Sequence, residues 1–368
     1  RYVQKLRGEG KEVQRVGLRA MIEIDGSYGE AGGQILRTSV ALSAATGVPC
    51  RIHSIRSKRP NPGLRPQHLT TLRAAAELTS AEVRGAELGS TEITYNPGRI
   101  RGGRYRFDIG TAGSVTMLLQ CLVPIAAYAD RPVEICVIGG TAVKWSPPTP
   151  FLENVVWRAF ESMGLSCSLE VRRHGFYPKG GGEAVAYVEP VETLKPFTPI
   201  YEPIGVIHGV SLCGRLPRHV AERQEASAAE TLKASGFKSS ISVKYLEGAE
   251  TPFSPGSLVC LWADHMFLGS DSLGERGKPA EKVGREAATS LVEQIETGAT
   301  VDLHTSDHMI LPSSLAEGES RFTTSRLMLH TLTAVELAKT FTGAEFSVQG
   351  SEGQPATITC LGAGHRRG

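Results

Sequence analysis

The chain has 368 residues, enough for two or three domains. Apolar residues make up 40% and charged residues 21%, an ordinary globular balance. A formal net charge of +2 excludes a whole-surface field for long nucleic acid, so any such contact is a local basic site.

The seven Cys are odd in number, form no CxxC pair and sit mostly in apolar runs. That predicts reduced, buried thiols in a reducing compartment, without a disulfide framework or a zinc ribbon. The longest apolar run, residues 115–129, is broken by Gln120 and is too short to span a bilayer. Residues 1–20 are polar and basic, lack an apolar signal core and read as an appended arm. A cytoplasmic α/β enzyme away from membranes is the expectation.

A strand pattern over 21–25 leads a helix over 33–45, a strand over 51–56, a helix over 64–78 and strands over 81–88 and 92–95. The order repeats as strand 105–109, helix 114–128, strand 133–138, helix 151–163 and strands 166–172 and 183–188. A third copy runs as strand 301–304, helix 309–315, strand 320–324, helix 333–340 and strands 345–348 and 356–360. Each reads βαβαββ over roughly 60 to 85 residues, one supersecondary unit apiece. Between the second and third lies another pattern: strand 204–212, helix 221–234, strands 240–245 and 258–263, and helix 281–295. This predicts one body from 21–192 and 300–368, with a small α/β domain, 193–299, inserted at a loop.

Five segments hold the candidate chemistry. Asp25-Gly26-Ser27-Tyr28-Gly29-Glu30-Ala31-Gly32-Gly33 ends a strand and opens a helix. Helix starts attract phosphate, and Glu30 suits a divalent ion on that phosphate. The same residues also fit a Gly-rich turn with a solvated Glu. No GxxxxGK[ST] loop occurs. The loop from Arg56 to His68 carries Arg56, Lys58, Arg59 and Arg65, stiffened by Pro60, Pro62 and Pro66. Arginine forks match phosphate oxygens, although a solvated charged loop fits equally. Arg99, Arg101, Arg104 and Arg106 form a second basic run that suits an exposed strand face.

Gly110-Thr111-Ala112-Gly113-Ser114 is another helix start with a Ser cap. His174-Gly175-Phe176-Tyr177-Pro178-Lys179-Gly180-Gly181-Gly182 places three Gly in a hairpin, costly unless the backbone must approach something closely. His330 precedes a helix expected to begin near Thr331 or Thr333. The positive helix end favours a neutral ring there, as attack on phosphorus requires, while a satisfied core histidine is the bland alternative. His304, Asp307 and His308 gather at a strand end, and their spacing also admits a metal-binding reading.

Together these segments resemble the RNA 3′-terminal phosphate cyclase family. The most specific piece is the hairpin from His174 to Gly182, joined by Asp25 to Arg37, Ile55 to His68, Gly85 to Ser90 and Pro217 to Arg223. The resemblance covers about Met21 to Cys360. It implies an α/β (α+β) fold of three βαβαββ units about a pseudo-threefold axis, with a small inserted α/β domain. It implies an ATP-dependent ligase that converts an RNA 3′-phosphate into a 2′,3′-cyclic phosphate. A histidine-AMP intermediate and an RNA-adenylate form in turn, and pyrophosphate and AMP are released.

By motif position, His330 resembles the adenylated nucleophile and Glu30 the ligand of Mg2+ or Mn2+. Arg37, Arg56, Arg59, Gln67 and His68 resemble the residues that handle the RNA phosphate. Gln120, Pro147, His304, Asp307 and His308 fall where ATP is held, with Glu87 beside them. Ala31, Ala142, Ala334 and His304 depart from the usual pattern and bear on nucleotide affinity. A non-catalytic RNA-processing scaffold of the same fold is the alternative; such relatives lack the nucleophilic His. An enolpyruvyl transferase does not account for the His174–Gly182 hairpin, and a lysine-adenylating ligase needs a K-x-D-G motif where this chain has Glu23-Ile24-Asp25-Gly26.

Overall fold

A computed structural model describes residues 20–367. The predicted arm at residues 1–20 therefore lies almost wholly outside the described residues.

The first sheet has the order β1 (Ile22–Asp25), β2 (Cys50–His53), β4 (Ile93–Asn96), β3 (Glu82–Arg84). β1 and β2 are parallel, joined through α1 (Gly33–Thr46); β4 and β3 return antiparallel after α2 (Pro66–Thr79). The second sheet repeats that order with β5 (Gly103–Asp108), β6 (Val133–Gly139), β8 (Gly182–Val188) and β7 (Cys167–Arg173). Its first crossover is α3 (Val115–Ala126), whose apolar residues are buried nearly all round. Ser114 caps it, its hydroxyl accepting from the Met117 N–H at 3.2 Å. The second crossover holds α4 (Thr149–Phe151) and α5 (Trp157–Ser162), joined by a π-helical turn at Leu152–Val156 that the periodicity does not reveal.

The last sheet has the order β13 (Glu319–Thr324), β15 (Ala356–Leu361), β14 (Glu345–Gln349). The expected strand at 301–304 shrinks to isolated parallel bridges of Val301 with Thr324 and with Phe267. Asp302 ends it. Its carboxylate accepts from the N–H of His304 at 2.8 Å and of Thr305 at 2.7 Å, turning the chain into α8 (Thr305–Leu315). α9 spans Leu329–Thr342 and therefore begins ahead of the expected position, with His330 already in its first turn. Met328 is still extended (φ −98°, ψ 152°), and no residue from Leu329 onward opposes helix.

Between these units stands a sheet of its own, β10 (Lys238–Tyr245), β9 (Val206–Gly214), β11 (Gly256–Ala263), β12 (Gly269–Leu273). α6 (His219–Ala234) and α7 (Ala280–Ile295) pack on one another and on this sheet, over an apolar cluster that includes Ile207, Leu232, Val259, Leu261, Val283 and Leu291. β12 was not predicted. Its sequence, Gly-Ser-Asp-Ser-Leu, buries serines rather than aliphatics. The Ser270 hydroxyl donates to the Ala287 carbonyl at 2.6 Å, so hydrogen bonds replace the missing apolar signal. All seven Cys are free and buried, as expected.

Candidate active site

Five helix starts are stitched together by short contacts. In α1, the Gln34 amide donates to the His330 carbonyl in the first turn of α9 at 2.9 Å. Gly33, where α1 begins, has no room for a side chain. A Cβ there would lie 2.2 Å from Nε2 of His68 in α2 and 3.0 Å from an Arg37 nitrogen. The Ser114 N–H, capping α3, donates to Oε1 of Gln67 in the first turn of α2 at 3.0 Å. In α9, the Thr331 hydroxyl donates to the Asp307 carboxylate of α8 and lies 3.1 Å from the Ser306 hydroxyl. Each helix start carries unsatisfied N–H groups and partial positive charge, so their convergence favours anions.

His330 stands at the centre. Its Nδ1 lies 3.2 Å from Oε1 of Glu30, whose Oε2 lies 3.6 Å from an Arg59 nitrogen. With Nδ1–H donating to Glu30, the lone pair is on Nε2. Burial holds the imidazole below its ordinary pKa; Glu30 opposes this, and Arg37 and Arg59 add to it. The neutral ring expected from sequence is thus favoured. Glu30 reaches His330 because Ala31 turns the chain at a left-handed φ of 49°. That conformation suits Gly better, so Ala31 adopts it at a steric cost that Gly would not bear.

Arg37 is 8% exposed and its Nε has no hydrogen-bond partner. No acidic side chain is within ion-pair distance of it among the described residues. Burial lowers its pKa to about 10. A buried cation without a counter-ion is expensive unless a ligand supplies one. His68 closes the same wall. Its Nδ1 accepts from the Arg65 N–H at 3.2 Å, leaving Nε2–H as a donor. Burial, then Arg37, Arg56 and Arg65, push its pKa down to about 3, so it is neutral.

Asp307, His308, His304 and Pro147 form the adjoining side. Burial raises the Asp307 carboxyl to about 7, with Asp302 and Glu30 adding and the Thr331 hydrogen bond opposing. His308 is buried, its Nδ1 lacks a partner, and burial pushes its pKa down to about 3. The His304 ring packs edge-on against Phe151, centroids 6.3 Å apart. The Pro147 carbonyl accepts from the Thr116 hydroxyl at 2.6 Å. Gln120 lies one helical turn beyond Thr116, on the same face of α3.

Two expected residues sit differently. Arg56 donates through one nitrogen to the carbonyls of Asn61 at 2.6 Å and Gly63 at 3.0 Å, so part of its guanidinium braces its own loop. Glu87 is exposed in the turn before Gly89, without a side-chain hydrogen bond among the described residues. The second basic run lines a strand face, with Arg104 paired to Glu134 and Arg106 to Glu183. Sequence reading missed Gly33, Gln34, Phe151 and Thr331 as site residues. The first two lay within the quoted Gly-rich motif; the others carry no local signal.

Compared with known families, residues 28–348 match the RNA 3′-terminal phosphate cyclases. The chain belongs to that family. Relatives named RNA 3′-terminal phosphate cyclase include one from Methanopyrus kandleri, 46% identical over 345 residues, covering 92% of this chain and 98% of that relative. One from Hyperthermus butylicus is 48% identical over 328 residues, 87% of this chain and 91% of its own length. One from Pyrobaculum aerophilum is 45% identical over 350 residues, 94% of this chain and 99% of its own. Among solved structures, the enolpyruvyl transferase NikO from Streptomyces tendae covers 95% of this chain and 50% of its own at 11% identity. Its TM-score is 0.38, too slight a likeness to bear on fold or function. The cyclase family implies an RNA substrate. Among the described residues no helix is long and apolar enough to cross a membrane.

Proposed function

We propose that the chain is an ATP-dependent RNA 3′-terminal phosphate cyclase acting through a covalent histidine-AMP. The observation that carries the reading is an imidazole oriented by Glu30 beside a buried arginine without a counter-ion, at five converging helix starts. Nε2 of His330 attacks the α-phosphorus of ATP; the N–P bond forms and pyrophosphate leaves. Glu30 takes up the positive charge that develops on the ring through Nδ1–H. An oxygen of the RNA 3′-phosphate next attacks the same phosphorus, and His330 leaves as a neutral ring. The neighbouring 2′-OH then attacks the activated 3′-phosphorus, closing the cyclic phosphate and releasing AMP. Splitting the condensation this way avoids attack on an unactivated phosphate.

Arg37, Arg59 and the Nε2–H of His68 hold phosphoryl oxygens while negative charge builds on them. Gln67 fixes the start of α3 against α2. Asp307 suits the ribose hydroxyls of ATP, with Pro147, His304, His308 and Gln120 around the base. Glu30 also fits Mg2+ or Mn2+: one carboxylate completed by substrate phosphates is a donor set such ions accept. Bound there, the ion supplies further charge neutralisation at the transferring phosphoryl group. The shared strand order of the sheets supports a pseudo-threefold body from 21–192 and 300–368. The separate sheet and apolar cluster support an inserted domain at 193–299. Buried free thiols fit a cytoplasmic setting.

Incubation with α-labelled ATP and Mg2+ or Mn2+ is expected to label the protein through an acid-labile, base-stable bond. His330→Ala is expected to abolish the label, and 3′-phosphate RNA to gain a 2′,3′-cyclic end only with the wild type. A non-catalytic scaffold would label in neither form. Normal labelling of the His330→Ala protein refutes the assignment of the nucleophile.

A further inference from the structure

We propose that Trp145 is the stacking platform for a nucleobase of the RNA strand that leads to the 3′-phosphate. The inference rests on the RNA reading above and names a site for the strand upstream of the reacting group. Trp145 is 92% exposed, the most exposed of the large apolar side chains. Its backbone is left-handed, with φ at 62°, a conformation that bulky residues rarely adopt. Such a conformation persists only where the surroundings impose it, and it recurs at ligand-binding positions.

The loop around it is pinned from several sides. The N–H groups of Thr141 and Ala142 both donate to the Gly175 carbonyl, at 2.9 and 3.3 Å. The Thr149 N–H closes back on the Thr141 carbonyl at 3.0 Å. Thr116 holds the Pro147 carbonyl, and Lys144 reaches Glu275 at 2.7 Å. The indole is therefore displayed on a rigid support, and little freedom is lost when a base settles on it.

The position selects RNA over ATP. Gly140 bridges to Ser114, whose N–H meets Gln67 beside His68, so the loop borders the phosphate-holding wall. Groups that hold a compact ligand are at least partly enclosed, and Pro147 and Gln120, proposed for ATP, are half-buried. A ring 92% exposed is not enclosed. It suits a ligand that continues out across the surface, as a single strand does beyond its terminal phosphate. Lys144 is already neutralised by Glu275, so contact at this point comes from an aromatic face rather than from added positive charge. Stacking of this kind tolerates any base.

The test compares Trp145→Ala and Trp145→Phe with the wild type, using an oligoribonucleotide ending in a 3′-phosphate. We expect Trp145→Ala to raise the KM for the RNA by roughly tenfold or more. Trp145→Phe recovers most of that loss, and the ATP dependence of self-labelling does not change. Indole emission read during RNA titration reports stacking without turnover: quenching is expected in the wild type and is lost in Trp145→Phe. An unchanged RNA KM with no Trp145-dependent quenching overturns the proposal, as does an ATP KM that rises in step with the RNA KM. A wild type that shows Trp145-dependent quenching but forms no cyclic phosphate overturns the proposed reaction and leaves the stacking site standing.

Discussion

Two arginine-bearing regions of the molecule are built on opposite principles. In residues 193–299, Arg215, Arg218, Arg223 and Lys244 are each satisfied within the fold. Arg218 pairs with Glu247 at 2.6 Å and stacks on Tyr245; Arg223 pairs with Glu281 at 2.6 Å; Lys244 pairs with Glu250 at 2.7 Å. Arg215 donates to the Pro252 carbonyl at 2.5 Å. Around His330, Arg37 is buried and unpaired, and a single carboxylate, Glu30, faces both Arg59 and His330. Both regions bring several arginines together in sequence. What differs is whether the fold itself supplies the anion. Where it does, the charge is structural; where it does not, the ligand completes the site.

The largest effect is expected at Arg37. Replacing it with Met keeps length and packing while removing the charge. Cyclisation should fall by roughly 10²–10³-fold, the usual loss when one stabilising donor leaves a transition state. Without ligand, the melting temperature should rise rather than fall. An uncompensated buried cation is removed, worth about 1–4 kcal/mol on the scale of buried charges replaced by apolar groups. Stabilisation by ATP should shrink in parallel. A drop in melting temperature together with near-normal activity would break the contrast between the two regions.

Glu30 sharpens the same contrast through pH. Attack needs the neutral His330 ring, so self-labelling falls as pH drops through the imidazole pKa. Burial already holds that pKa below the ordinary value, and Glu30 is the group that pulls it back up. In Glu30→Gln the acid limb of the self-labelling profile should therefore move to lower pH. The plateau rate should fall by roughly 10–100-fold, because the ring loses the partner that orients it. A limb that moves to higher pH would mean that Glu30 does not act on His330 as described.

Much of this was legible in the chain, and the gaps have physical causes. α7 was expected over 281–295 and occupies Ala280–Ile295, because its apolar stripe keeps helical period. The Gly-rich segment before α1 was expected either as a phosphate-binding turn or as a plain Gly-rich turn; Gly33 has no room for a side chain, because His68 and Arg37 lie against it. β12 escaped because Ser270 and Ser272 bury hydroxyls where a strand usually buries aliphatics. The strand at 301–304 was overextended because Asp302 spends its carboxylate on turning the chain. The contact of Thr331 with Asp307, and the gathering of five helix starts, join residues far apart in sequence and leave no local pattern. The ion pairs of Arg218 and Arg223 likewise leave no local pattern, because Glu247 and Glu281 arrive from other elements.

That pairing sets the smallest expected effect. Arg218→Ala and Arg223→Ala each break an exposed pair whose two ends remain hydrated. Such pairs add little to stability, since water and salt screen them and ordering two long side chains offsets the attraction. Both variants should therefore keep the wild-type melting temperature. If the insert's arginines are structural, the KM for 3′-phosphate RNA and its salt dependence should also be unchanged, because no phosphate contact is lost. A KM that rises in either variant, with a flatter salt dependence, would mean that RNA displaces Glu247 or Glu281 and recruits the insert. The unpaired arginine beside His330 would then no longer be what separates the two regions.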